Sequence, residues 1–129
     1  MTTELALLFW SLVLYGLYLG TQSVLYRLHY GVMFAASARD HEAPPGEQLA
    51  RSERALKNFH ETWPVFIVLA LVANFADPGD PVVFWGAVTW YAGRVAYLPL
   101  YVFGVFGIRS LVWTIATLGL AAMFFAILF

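Results

Sequence analysis

The chain has 129 residues, of which 61% are hydrophobic and only 12% charged, with a formal net charge of −1 and no cysteine. That composition excludes an ordinary soluble domain, and a near-neutral chain without a basic run gives no support to a nucleic-acid partner. Without cysteine there can be no disulfide, iron–sulfur cluster, cysteine-ligated zinc or protein thiol nucleophile, so any sulfur chemistry uses a thiol brought from outside.

The first predicted helix covers about residues 5–36. Its uncharged run between Glu4 and Arg27 is long enough to cross a bilayer. It is too long, and lacks the basic flank, to read as a signal peptide. Gly16 and Gly20 form a small-xxx-small pair suited to close helix approach. Gln22 is the only amide in the run and should find a partner. Arg27 and His29 stand where the helix leaves the membrane, as snorkelling side chains do. A charged loop follows, ending in Pro44-Pro45-Gly46, a helix breaker.

The second predicted helix covers about 47–76. The stretch from Arg51 to Glu61 packs six ionisable side chains and Asn58 into eleven residues, then runs unbroken into an apolar segment. Arg51, Arg54, Asn58 and Glu61 are spaced i, i+3, i+7 and i+10, which puts them on one stripe. The uncharged part, residues 62–76, is shorter than the ~20 residues a span needs. The polar end must therefore enter the membrane or its interface, where such groups are costly and usually functional. Pro64 should kink this helix beside Glu61.

Asp77 to Pro81 forms a tight turn, and Pro81 suits the start of a third helix over about 81–103. Arg94 lies near its middle, with Tyr97 and Tyr101 following on the same stripe. A turn at 104–107 leads to Arg109 and a fourth, apolar helix over about 109–129, where Thr114, Thr117 and Gly119 suit helix packing. The expected fold class is all-α and integral to the membrane: one domain, residues 1–129, forming a four-transmembrane-helix bundle. Arg27, Arg39, Arg51, Arg54, Lys57 and Arg109 all fall on two connections and their flanks. The positive-inside rule puts those connections in the cytoplasm and both termini outside it.

This topology brings Arg51, Arg54, Asn58, Glu61, Arg94, Tyr101 and Arg109 to one level. Arginines there recognise carboxylates by paired charge-assisted bonds, and Glu61 suits an ammonium. Together they match a small zwitterion with more than one carboxylate, beside apolar walls that admit a lipid-like second molecule. An arginine near a thiol lowers its pKa from about 8.5. Glu61 is also expected to pair with Arg54 or Arg94 and tie two helices together. No metal site is expected: His60-Glu61 lacks the second histidine of a zinc-protease motif, and Pro64 stands in its place.

At these residues the chain resembles the MAPEG family, the membrane-associated proteins of eicosanoid and glutathione metabolism. The resemblance rests on Glu53-Arg54-Ala55, Asn58-x-x-Glu61-Thr62, Pro64-x-Phe66, Gly93-Arg94-Val95-Ala96, Tyr101 and Ile108-Arg109-Ser110. It implies four-helix subunits assembled as a homotrimer, with glutathione as cosubstrate between subunits near the cytoplasmic face. Arg54, Asn58, Glu61, Arg94 and Tyr101 match glutathione-binding positions, with Arg51 one turn before. Arg109 matches the arginine credited with stabilising the thiolate. The chain departs from the family pattern at Val24, where many animal members carry an arginine, and at Trp113, where some carry a tyrosine. Its turn before Arg109 is also one residue shorter.

The function implied is that of a membrane-bound glutathione transferase or peroxidase acting on a hydrophobic electrophile. Short loops and compact termini suggest a bacterial inner membrane. The alternative is a non-enzymatic protein that binds an anionic lipid or metabolite, or scaffolds a partner complex. A transporter fits less well, because the charged stripe lies at one end rather than at the midplane.

Overall fold

A computed structural model describes residues 1–129, and all of its regular structure is helical. Its elements are α1 (Thr3–Tyr30), α2 (Val32–Ala36), α3 (Glu47–Ala76), α4 (Pro81–Val102) and α5 (Ile108–Leu128). Side-chain caps fix two of the starts. Thr2 accepts from the Leu5 amide, and the Asp80 carboxylate accepts from the amides of Val82 and Val83 at 2.7 and 3.1 Å. Pro81 then occupies the first turn, where its missing N–H costs nothing.

The first helix ends earlier than the pattern predicts. The run expected to reach residue 36 breaks at Gly31, whose φ of +92° no helical residue adopts. The Gly31 amide still closes onto the Arg27 carbonyl, and α2 restarts from the Gly31 carbonyl. His29 does not simply snorkel: its ring lies 3.1 Å from the Pro44 carbonyl. Tyr26 donates to Glu42 at 2.5 Å and Tyr30 donates to the Ala43 carbonyl. The charged loop is thus tied back to the end of α1.

α1, α3 and α5 are each long and apolar enough to cross a membrane. α4 falls short of that hydropathy because Trp85, Trp90, Tyr91, Arg94, Tyr97 and Pro99 dilute its aliphatic residues. Of these, Trp90, Arg94 and Tyr97 are buried, whereas Trp85 and Pro99 face outward. α3 and α4 each touch the other three long helices, whereas α1 and α5 do not meet. The α3–α4 pair is therefore the centre, and its aromatic filling is dense: Phe66 stacks on Trp90 at 4.1 Å, and Tyr18 meets Phe59 at 4.7 Å. Trp63 donates to Ser11 at 2.9 Å and joins α1 to α3.

The exterior is as apolar as the interior. Leu28, Phe75 and Trp85 are all largely exposed, which is favourable only against lipid. The Thr2 hydroxyl meets Asn74 at 3.2 Å, so the N-terminus and the turn after α3 share one end. Arg51 lies against Gly104, so the charged loop and the α4–α5 turn share the other.

Close helix approach occurs at a different glycine pair from the one expected. A Cβ on Gly16 or Gly20 would meet nothing within 4 Å, whereas one on Gly86 would lie 2.6 Å from the Gly119 carbonyl oxygen. α4 and α5 touch backbone to backbone there. Gly86→Val should therefore cost about 2 kcal/mol or more by overpacking, while Gly16→Val should be nearly neutral within one chain. Thermal unfolding of both variants in detergent checks this, and equal midpoints would refute the assigned contact.

Candidate functional site

The polar half of α3 runs antiparallel to the C-terminal half of α4, and their side chains meet level by level. At the outermost level the Arg51 guanidinium lies against Gly104, held also by Glu47 at 3.7 Å. One turn deeper, Arg54 Nε donates to the Tyr101 hydroxyl at 3.1 Å. Deeper again, Arg94 Nη1 donates to Asn58 Oδ1 at 2.7 Å. The i, i+3, i+7 stripe read from the sequence is thus a real ladder, and α4 supplies its other side.

Arg94 is only 1% exposed, and no carboxylate pairs with it. Insertion of an arginine at such a depth costs about 2.5–3.5 kcal/mol. Its guanidinium carbon lies 4.6 Å from the Tyr97 ring centroid, 5.6 Å from Phe59 and 5.7 Å from Tyr18. Desolvated cation–π contacts contribute about 2 kcal/mol, and a hydrogen bond from a charged donor about 1.5–3 kcal/mol. These offset the insertion cost without a counter-ion. Tyr18 also donates to the Arg94 backbone carbonyl at 2.6 Å, which brings α1 to the same point. Nε and Nη2 of Arg94 are left with no hydrogen-bond acceptor.

Beside this ladder lies a cavity of about 460 Å³ lined by Asn58, Tyr97, Tyr101, Arg109, Ser110, Trp113 and Thr114, within the size range of small-molecule sites. Arg109 projects from the first turn of α5, with its guanidinium 4.6 Å from the Tyr101 ring centroid. Tyr101 therefore carries one arginine on its face and another on its hydroxyl. The lining includes a cation, hydroxyls, an amide and an indole, and no carboxylate.

Of the residues singled out from the sequence, Asn58, Tyr101 and Arg109 line the cavity, and Arg54 reaches it through Tyr101. Arg94 stands behind Asn58, outside the lining. Arg51 turns away to the α4–α5 connection. Glu61 is exposed and outside the lining, and its expected ion pair with Arg54 or Arg94 is not formed; the one ion pair is Glu47–Arg51. The reason is that Arg94 bonds at the Asn58 level and Arg54 at Tyr101, so neither guanidinium comes within ion-pair distance of Glu61. Ser110 and Thr114 were not singled out for the site. Their signal was their own i, i+4 spacing, which puts both on one face of α5, next to the Arg109–Trp113 pair at the same spacing.

The model of the MAPEG family matches residues 5–129, nearly the whole chain. The chain belongs to the MAPEG family. No individual curated protein matches it. Membership, together with three apolar helices of spanning length, makes it an all-α integral membrane protein. The MAPEG family includes glutathione transferases and other members, so the family alone leaves the activity open and the site must argue for it.

Gly104 in this MAPEG chain has φ +70°, and a Cβ there would sit 2.8 Å from Arg51 Cζ. Gly104→Ala should cost about 1–2 kcal/mol from the left-handed backbone and push Arg51 aside. Combining it with Arg51→Ala should relieve only the clash. Unfolding midpoints for the single and double variants check this; a Gly104→Ala variant as stable as wild type would contradict it.

Proposed function

We propose that this protein is a membrane-bound glutathione transferase- or peroxidase-like enzyme. The observation that carries the reading is that Arg54, Arg94 and Arg109 converge around Asn58 and Tyr101 with no carboxylate paired to any of them. One buried cation, Arg94, with the more accessible Arg54 and Arg109 beside it and no ion-paired carboxylate, favours an anionic ligand. Glutathione supplies two carboxylates, a thiol and an ammonium. In this reading Arg54, Asn58 and Tyr101 hold the tripeptide; Arg51 and Glu61 lie outside the cavity lining, with Glu61 left for the ammonium.

Arg109 is the catalytic residue of the proposal. Its charge beside the thiol favours the thiolate, the reactive form. The thiol proton leaves to water, and the sulfur electron pair attacks an electrophilic carbon or a peroxide oxygen as the leaving group departs. The second substrate is hydrophobic and arrives from the lipid, past the apolar outer faces of α4 and α5.

The reading extends to four membrane-spanning helices in a bundle, with α4 as the fourth span, and to a homotrimer of the kind the family resemblance implies. It further places both termini outside the cytoplasm of a bacterial inner membrane, with the cavity end cytoplasmic and the role one of detoxification. The distribution of arginine supports that orientation.

Calorimetry on the detergent-solubilised protein tests the binding half. Wild type should bind glutathione in the micromolar to millimolar range, and Arg54→Ala should weaken it about tenfold, the equivalent of about 1.4 kcal/mol. Arg109→Leu should leave assembly intact and lower turnover of a model electrophile by at least about tenfold. Unchanged turnover would remove Arg109 from its role. Phospholipid that copurifies and displaces glutathione would favour the head-group-binding alternative, in which the same arginines hold a phosphate.

A further inference from the structure

Asn58 is the one residue that both lines the cavity and bonds the buried arginine behind it. Arg94 has only donors, so the Asn58 atom that faces it must be the carbonyl oxygen. The two ends of a planar carboxamide point apart. Fixing Oδ1 on Arg94 therefore turns the Asn58 amide group away from the guanidinium. A free asparagine could present either end to a ligand; this one is committed.

We infer that Arg94 is a positioning residue, acting through Asn58 to present an N–H donor to the cavity, and does not itself touch the ligand. Three observations support this. Arg94 is 1% exposed and absent from the lining. Its side chain is enclosed by Tyr18, Phe59 and Tyr97, from three different helices. The Tyr18 hydroxyl bonds the Arg94 backbone carbonyl, so its main chain is also held. Asn58 then presents an N–H donor beside the Arg109 cation and the unpaired Trp113 indole N–H, while Thr114, whose hydroxyl donates to the Ser110 carbonyl, is left as an acceptor; the balance favours an acceptor-rich ligand. As applied to glutathione, the inference rests on the function proposed above. As applied to Asn58, it stands alone.

The chain has two asparagines, Asn58 and Asn74, so asparagine-selective ¹⁵N labelling gives two side-chain amide pairs, one of them an internal control. In unliganded protein in detergent, Arg94→Met should shift the Asn58 amide pair and leave the Asn74 pair in place. Removing an unpaired buried charge should not lower the unfolding temperature. Arg94→Lys is the second variant, with the same charge but a different donor geometry, and should displace the Asn58 signal too. An Asn58 signal unmoved in both variants overturns the inference.

A mutant cycle on glutathione binding supplies the second readout. If Arg94 acts through Asn58, Arg94→Met and Asn58→Ala each weaken binding about tenfold, and the double variant is no weaker than about the worse single. A double variant weakened about a hundredfold means independent contacts and also overturns the inference. If wild type binds no glutathione, the proposed function falls, while the resonance comparison still decides the role of Arg94.

Discussion

A guanidinium without a carboxylate lies at the centre of this protein, and the surrounding structure follows from having to house it. Arg94 holds its place through one hydrogen bond to Asn58 and three aromatic faces. Those partners come from α1, α3 and α4, so the charge specifies how three helices meet. An apolar side chain of the same size would fill the space at lower cost but would leave the α3–α4 register to shape alone. A carboxylate partner would stabilise the charge further and would also cancel its field. The arrangement found stabilises the cation while leaving it electrostatically unspent.

The aromatic residues explain how this is affordable in so small a chain. Phe59 contacts both Tyr18 and the Arg94 guanidinium, and its neighbour one turn on, Trp63, reaches Ser11. Rings of this kind supply apolar filling and a negative face at once. The same device recurs nearer the end of the molecule, where Arg109 lies over Tyr101. Arginine on an aromatic ring, in place of arginine on an acid, holds for Arg54, Arg94 and Arg109 at the α3–α4–α5 end, with Arg51 on Glu47 the exception.

Much of this was legible in the sequence. The polar stripe of α3 shows because helical spacing is strict, and Arg94 shows because a charge in an apolar run has few innocent readings. The turns at Asp77–Pro81 and Gly104–Gly107 are marked by proline and glycine. What remained hidden depends on which of several equivalent groups faces which. Glu61 and Asn58 lie one turn apart on the same stripe, and only the packing of α4 decides that the amide, not the acid, meets Arg94. Tyr18 sits in an apolar run with nothing beside it to suggest that its hydroxyl caps a carbonyl of another helix. Gly16 and Gly20 carry the same small-residue pattern as a packing seam, yet the seam within the chain is Gly86 on Gly119 because α5, not α1, comes closest to α4.

That glycine contact is one end of a longer seam. Gly86 and Gly119 clamp α4 to α5 far from the cavity, while Tyr97, Tyr101 and Trp113 prop the same two helices at the other end. Fifteen residues of helix separate Gly86 from Tyr101, a rod of about 22 Å. A Cβ on Gly93, half-way along that rod, would lie 2.8 Å from the Ala116 Cβ, so the close seam continues toward the cavity. The spacing of α4 and α5 beside the cavity is therefore set along the whole seam, by small residues that carry no chemistry at all.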